Sequence, residues 1–134
     1  MPPRLDFEFW YTDTPRIIAM VRSPSSGQSL PAFCLIDTGA DVTLFDQELA
    51  EALDIDLRGA EQASVNGLGG TTIVRLSAVE LHLLNEPELT VTVRAGFAEL
   101  GSLALGNLIG LDVLEHFDFA ISHRERLGYL GRSA

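Results

Sequence analysis

The sequence predicts a mostly-β domain, closed or sandwich-like, on three observations. Short apolar, β-prone segments recur along the chain. Clusters of Gly, Pro, Asn and Ser punctuate them as turns. Only one or two stretches carry helical spacing, and they are short, with no repeat, heptad or low-complexity tract between them.

The first strand is residues 17–21, followed by a turn at Arg22-Ser23-Pro24-Ser25-Ser26-Gly27. Residues 30–36 form the second strand, and Phe33, Leu35 and Ile36 suggest that it ends buried. It runs into the polar, glycine-bearing loop Asp37-Thr38-Gly39-Ala40-Asp41, after which Val42-Thr43-Leu44-Phe45 resumes an apolar β-prone pattern. Asp46 reads as a helix N-cap, with apolar residues Leu49, Ala50, Leu53 and Leu57 predicting a helix over residues 47–57. Strand pattern returns at Ala63, breaks at Asn66-Gly67-Leu68-Gly69-Gly70, and alternates from Thr71 to about Leu84. Asn85-Glu86-Pro87 is a turn, and residues 89–95 are another strand. Asn107-Leu108-Ile109-Gly110 leads into a short helix over residues 111–117. Residues 119–122 and 127–130 close the chain as strands.

At 134 residues the chain fits one domain, 1–134, with one hydrophobic core. The formal net charge is -10 with nine basic residues, scattered, which argues against a nucleic-acid partner. No apolar stretch approaches the roughly 20 residues that span a bilayer, so no membrane partner is expected. A single cysteine, Cys34, excludes an internal disulfide framework. Residues 1–10 lack the basic-then-apolar order of a secretory signal. A soluble cytoplasmic protein is the expectation.

Three local features occur in order: Leu35-Ile36-Asp37-Thr38-Gly39-Ala40-Asp41, then Asn66-Gly67-Leu68-Gly69-Gly70 between two strands, then Leu108-Ile109-Gly110-Leu111-Asp112-Val113-Leu114. Alone, Asp-Thr-Gly could be an ordinary turn. The glycine-rich stretch could be a plain hairpin tip, and it lacks the spacing of a phosphate cradle. Together, across residues 17–130, the three resemble the retropepsins, single-domain aspartic proteases of retroviruses and their cellular relatives.

That resemblance implies a closed β-barrel of the acid protease fold, with a flap hairpin and one or two short helices. It implies that Asp37 is the catalytic carboxylate and that Thr38 locks two active-site loops together across a dimer axis. Gly39 and Asp41 would hold the substrate backbone. Gly67, Leu68 and Gly69 would form the flap tip. Leu35, Ala40, Leu44 and Leu108 would line side-chain pockets. The third segment would pack beneath the active-site loop. The activity implied is that of an aspartic endopeptidase on a peptide or protein substrate, without metal or cofactor.

One Asp-Thr-Gly cannot suffice for that chemistry. Two carboxylates about 3 Å apart share a proton. The ionised one takes a proton from the attacking water, and the protonated one donates to the developing oxyanion. The chain is too short for two such lobes, so the second Asp37 must come from a second copy: a homodimer. One departure stands out. Where viral retropepsins usually carry Arg after the glycine of the third segment, pairing the loop's second aspartate, this chain has Leu111, and Asp41 must find another partner or stay solvated.

The other candidates read blandly. Cys34 is a small buried hydrophobe. His82, His116 and His123 are scattered and show no metal-ligand spacing. Glu48, Glu51, Asp54 and Asp56 form a solvated helix face. The rival from another class is a dimeric peptide-binding or assembly module of the same fold, with weak or no proteolysis.

Overall fold

The computed structural model describes residues 2–67, 70–101 and 106–133. Ten strands are described. They are β1 (Phe7–Trp10), β2 (Arg16–Arg22), β3 (Ser29–Ile36), β4 (Leu44–Asp46), β5 (Gln62–Gly67), β6 (Gly70–Leu83), β7 (Thr90–Ala98), β8 (Asn107–Ile109), β9 (Asp118–Ser122) and β10 (Leu127–Gly131). Two short helices, α1 (Gln47–Ala52) and α2 (Leu111–Leu114), lie between them.

Six strands close into a barrel, in the order β2-β3-β8-β4-β7-β6 and back to β2. The closing seam is antiparallel, with Ala19 opposite Leu83 and Arg22 opposite Glu80. Closure leaves no free edge along this ring. β5 pairs with β6 outside it, making a long hairpin in register from Gln62↔Arg75 to Gly67↔Gly70. A separate antiparallel sheet, β1-β10-β9, ties the two ends of the chain together.

Period-two alternation divides the apolar residues into two clusters. Inward-facing Ile17, Cys34, Ile36, Phe45, Val79, Leu81, Phe97 and Ile109 belong to the main core. Phe45 and Phe97, direct partners on β4 and β7, tilt against each other with ring centroids 5.9 Å apart. Leu44, Val74, Ala98, Leu100 and Leu108 form a second cluster on the other face of the same strands.

Several expectations need correction. α1 stops at Ala52, not Leu57. Asp54 turns left-handed (φ 58°), and the N–H groups of Asp54 and Ile55 return to the carbonyls of Glu51 and Ala50, closing the helix in a Schellman motif. Leu53 still buries fully, which is why its spacing looked helical. The second short helix ends at Leu114, and turns carry the chain to Phe117. Phe33 does not bury: it alternates with Ala32 and Cys34 and stands 60% exposed on the outer face. β1 was not anticipated. Its four residues are too short to show a period, and pairing with β10 makes it a strand. Among the described residues, no helix is long and apolar enough to cross a membrane.

Candidate active site

β3 delivers Asp37. The ladder with β8 runs Cys34↔Asn107, Leu35↔Leu108, Ile36↔Ile109, and the Asp37 N–H extends it by donating to the Ile109 carbonyl at 2.9 Å. β8 lies between β3 and β4, so the loop joining those two strands must cross the end of β8. It crosses at Gly110. A Cβ there would sit 2.7 Å from the Ala40 carbonyl oxygen and 3.0 Å from the Val42 carbonyl carbon, so only glycine lets the two backbones pass.

The crossing is pinned from both sides. The Leu111 N–H donates to the Ala40 carbonyl at 2.8 Å, and that of Asp112 to the Asp41 carbonyl at 3.3 Å. Thr43 is fully buried. Its hydroxyl donates to Asp112 Oδ1 at 2.7 Å and accepts from the Gly110 N–H at 3.0 Å. Its own N–H donates to both Asp112 oxygens, at 3.0 and 3.1 Å. Neither Thr43 nor Asp112 was singled out as a site residue. The signal was present: a hydroxyl inside an apolar run, six residues after Asp37, must find a partner if it buries.

The predicted residues fall as follows. Asp37 is half-buried, and its Oδ1 accepts from the Gly39 N–H at 2.9 Å. Thr38 and Gly39 are exposed and Ala40 is half-buried. Asp41 is exposed, and among the described residues no cation pairs with its carboxylate. Leu111 beside it is an exposed apolar residue. Gly67 ends β5 opposite Gly70; Leu68 and Gly69 lie outside the described residues.

Leu35, Leu108 and Leu44 come together. Leu35 opposes Leu108, Leu108 opposes Leu44, Leu44 opposes Gly96 and Gly96 opposes Leu76, one lateral row on the outer face of five neighbouring strands. Gly96 permits the row to close up: a Cβ there would meet Leu44 Cδ2 at 2.8 Å and Val74 Cγ2 at 2.9 Å. By alternation, Asp37 emerges on the face of Leu35. Ala63 and Val65 of the hairpin, with Val42 of the loop, pack against the same cluster. Val42 and Val65 therefore share a cluster with the predicted lining residues Leu35, Leu44 and Leu108.

Cys34 faces the other way, into the core, and burial pushes its thiol up to about 12, the nearby Arg16 charge offsetting only part of that. It stays a neutral thiol. Among the described residues, no group of three or more His, Cys, Asp and Glu gathers as metal ligands would. A groove of about 590 Å³ runs along β1 and β2, past Trp10, Ile18 and Phe33, and Asp37 is not part of it.

Comparisons with known proteins bear on the fold and the family. EIAV protease, in complex with the inhibitor HBY-793, superposes with a TM-score of 0.57 at 18% identity, over 77% of this chain and 86% of that one. A retropepsin-like aspartic protease from Rickettsia conorii superposes with a TM-score of 0.56 at 18% identity, over 92% and 96%. Both likenesses concern the fold, which is the closed barrel of the acid proteases. No curated protein matches the chain in sequence. The model of the family described as "gag-polyprotein putative aspartyl protease" matches residues 26–116, from the turn before β3 to just past α2. With the Asp37 loop, the hairpin and the Gly110 crossing all inside or bordering that span, the chain belongs to this retropepsin-like aspartyl protease family.

Proposed function

We propose that the protein is an aspartic endopeptidase whose active form is a homodimer, each copy supplying one Asp37, and that residues 1–134 act as a single catalytic domain in the cytoplasm. The observation that carries the reading is the placement of Asp37. It stands at the end of a barrel strand, clamped by the Ile109 carbonyl and the Gly39 N–H, on the face that bears the Leu35–Leu108–Leu44 row.

The chemistry follows from pairing two such loops about a two-fold axis. The two Asp37 carboxylates share one proton. The ionised group draws a proton from water while the water oxygen attacks the peptide carbonyl carbon. The protonated group donates to the developing oxyanion. Collapse of the tetrahedral intermediate breaks the C–N bond, and a proton passes to the leaving amine. Thr38, exposed on the loop, would hold the two loops together. Gly39 and Asp41 would hold substrate backbone, Ala40 would add to the pocket wall, and Gly67, Leu68 and Gly69 would close over the peptide as a flap.

A mixing experiment tests the shared site. Wild-type protein is titrated with excess Asp37→Asn protein, and cleavage of an unstructured polypeptide is followed at acidic pH. Hybrid dimers carry one carboxylate, so activity should fall toward zero as the inactive variant outnumbers the active one. Activity that stays constant under excess Asp37→Asn contradicts the half-site reading.

A further inference from the structure

The apolar row beside Asp37 ends in a charge. Arg16 on β2 opposes Leu35 in the β2–β3 ladder, so Arg16, Leu35, Leu108 and Leu44 stand side by side on four neighbouring strands. Arg16 is half-buried, and among the described residues its guanidinium has no hydrogen bond or ion pair. On its other side Arg16 borders the groove along β1 and β2, where Asp6, Glu8 and Glu86 also stand, and none of the three pairs with it. Its Nη1 lies beside Gly106, the residue before β8. A Cβ on Gly106 would be 3.5 Å away, so the guanidinium borders a space that any other residue at 106 would occupy.

We propose that Arg16 is a specificity-determining residue that receives an acidic side chain of the bound peptide, close to the scissile bond. The proposal rests on the aspartic peptidase reading and adds to it the chemistry of one subsite. Neighbouring strands lie about 4.8 Å apart, and two residues along a strand span about 6.6 Å, so the Arg16 and Asp37 backbones are separated by roughly 8 Å. An extended peptide advances about 3.3 Å per residue, which places the acidic position within about three residues of the cleaved bond. A half-buried guanidinium beside leucines has lost part of its hydration, and a carboxylate offers it a bidentate partner. The chain as a whole carries a charge of -10 and repels acidic peptides. Any acid preference must therefore come from a local cation, which makes it diagnostic.

The test uses peptide binding to full-length Asp37→Asn protein, read by fluorescence anisotropy, with folding of each variant checked by circular dichroism. Apolar octapeptides carry a single Glu, moved one position at a time, each compared with its Gln counterpart. One position should bind at least about tenfold tighter with Glu. Adding Arg16→Gln should erase that contrast, Arg16→Glu should convert it to a preference for Lys, and Arg16→Lys should keep a weakened preference for Glu. No position favouring Glu, no binding of any Glu peptide, or a Glu preference that survives Arg16→Gln overturns the assignment. Cleavage of the neutral parent peptide by wild-type protein is measured in parallel. Its failure would refute the peptidase reading, while the Glu–Gln contrast in binding still decides the role of Arg16.

Discussion

The two faces of β3, β8 and β4 are built from adjacent residues and do different work. Ile36, Ile109 and Phe45 point into the barrel and join the main core. Leu35, Leu108 and Leu44, each one residue away, point outward beside Asp37 and beneath the hairpin. The inner set closes against the rest of the barrel. The outer set packs with Val74, Ala98 and Leu100 and with the hairpin and loop residues Ala63, Val65 and Val42, on the face where the proposed function puts the peptide. Alternation on a strand thus gives neighbouring residues a core role on one side and, under the proposed function, a recognition role on the other.

That division predicts a graded series of effects. Ile109→Ala should cost about 2–5 kcal/mol in a denaturant melt, through lost burial and a cavity that the closed barrel cannot fill. Leu108→Ala should cost clearly less and should change which apolar peptides are cleaved. Equal losses with unchanged selectivity would erase the distinction between the faces.

Thr43→Val sharpens the comparison at the loop. The change keeps volume and leaves Asp112 its bonds from the residue 43 N–H, but it removes the hydroxyl's bond to Asp112 and leaves the buried Gly110 N–H without its acceptor, at about 1–3 kcal/mol. Because these bonds hold the crossing behind Asp37, kcat should fall along with stability, while Thr43→Ser should retain both. A Thr43→Val protein with wild-type kcat would show that the loop holds its shape without them.

The smallest expected effect concerns pH and the terminal sheet. Asp118 accepts from the Arg4 N–H at 2.9 Å and from the Ser133 hydroxyl, joining the two ends of the chain. Those bonds hold its carboxyl below the usual range, the Arg4 backbone bond first. A depressed folded-state pKa contributes stability above the unfolded-state value, roughly 4, and that contribution fades as pH falls through the folded-state value. The protection of β1 against hydrogen exchange, taken relative to the intrinsic rate at each pH, should therefore fall below about pH 4, and Asp118→Asn should show the lower protection already at neutral pH. Identical exchange in the two proteins at neutral pH would refute the tie.

Most of the barrel was legible because its strands are short, apolar and bounded by turn residues, and the Asp37 loop because three separate segments fall in order. What was not legible depended on partners distant in sequence. β1 exists through β10, 117 or more positions away. Thr43 acquires meaning only when the chain crosses Gly110 and meets Asp112, 69 residues on. The overlong helix shows a different limit. Leu53 and Leu57 do pack toward the core, but the left-handed turn at Asp54 is a local backbone choice that apolar spacing does not report. Arg16 appeared in sequence as one of nine scattered basic residues, and only strand register puts it in line with Leu35.

The central claim is that Asp37, on the outer face, is the catalytic carboxylate. The most direct measurement is peptide cleavage by Asp37→Asn beside wild type, on samples matched by circular dichroism and by mass in solution. Asn keeps the size and accepts the Gly39 N–H, but it cannot hold the shared proton. Cleavage should vanish in the variant with fold and assembly unchanged, and wild type should work within a bounded acidic window. Cleavage by Asp37→Asn at the wild-type rate would contradict the account.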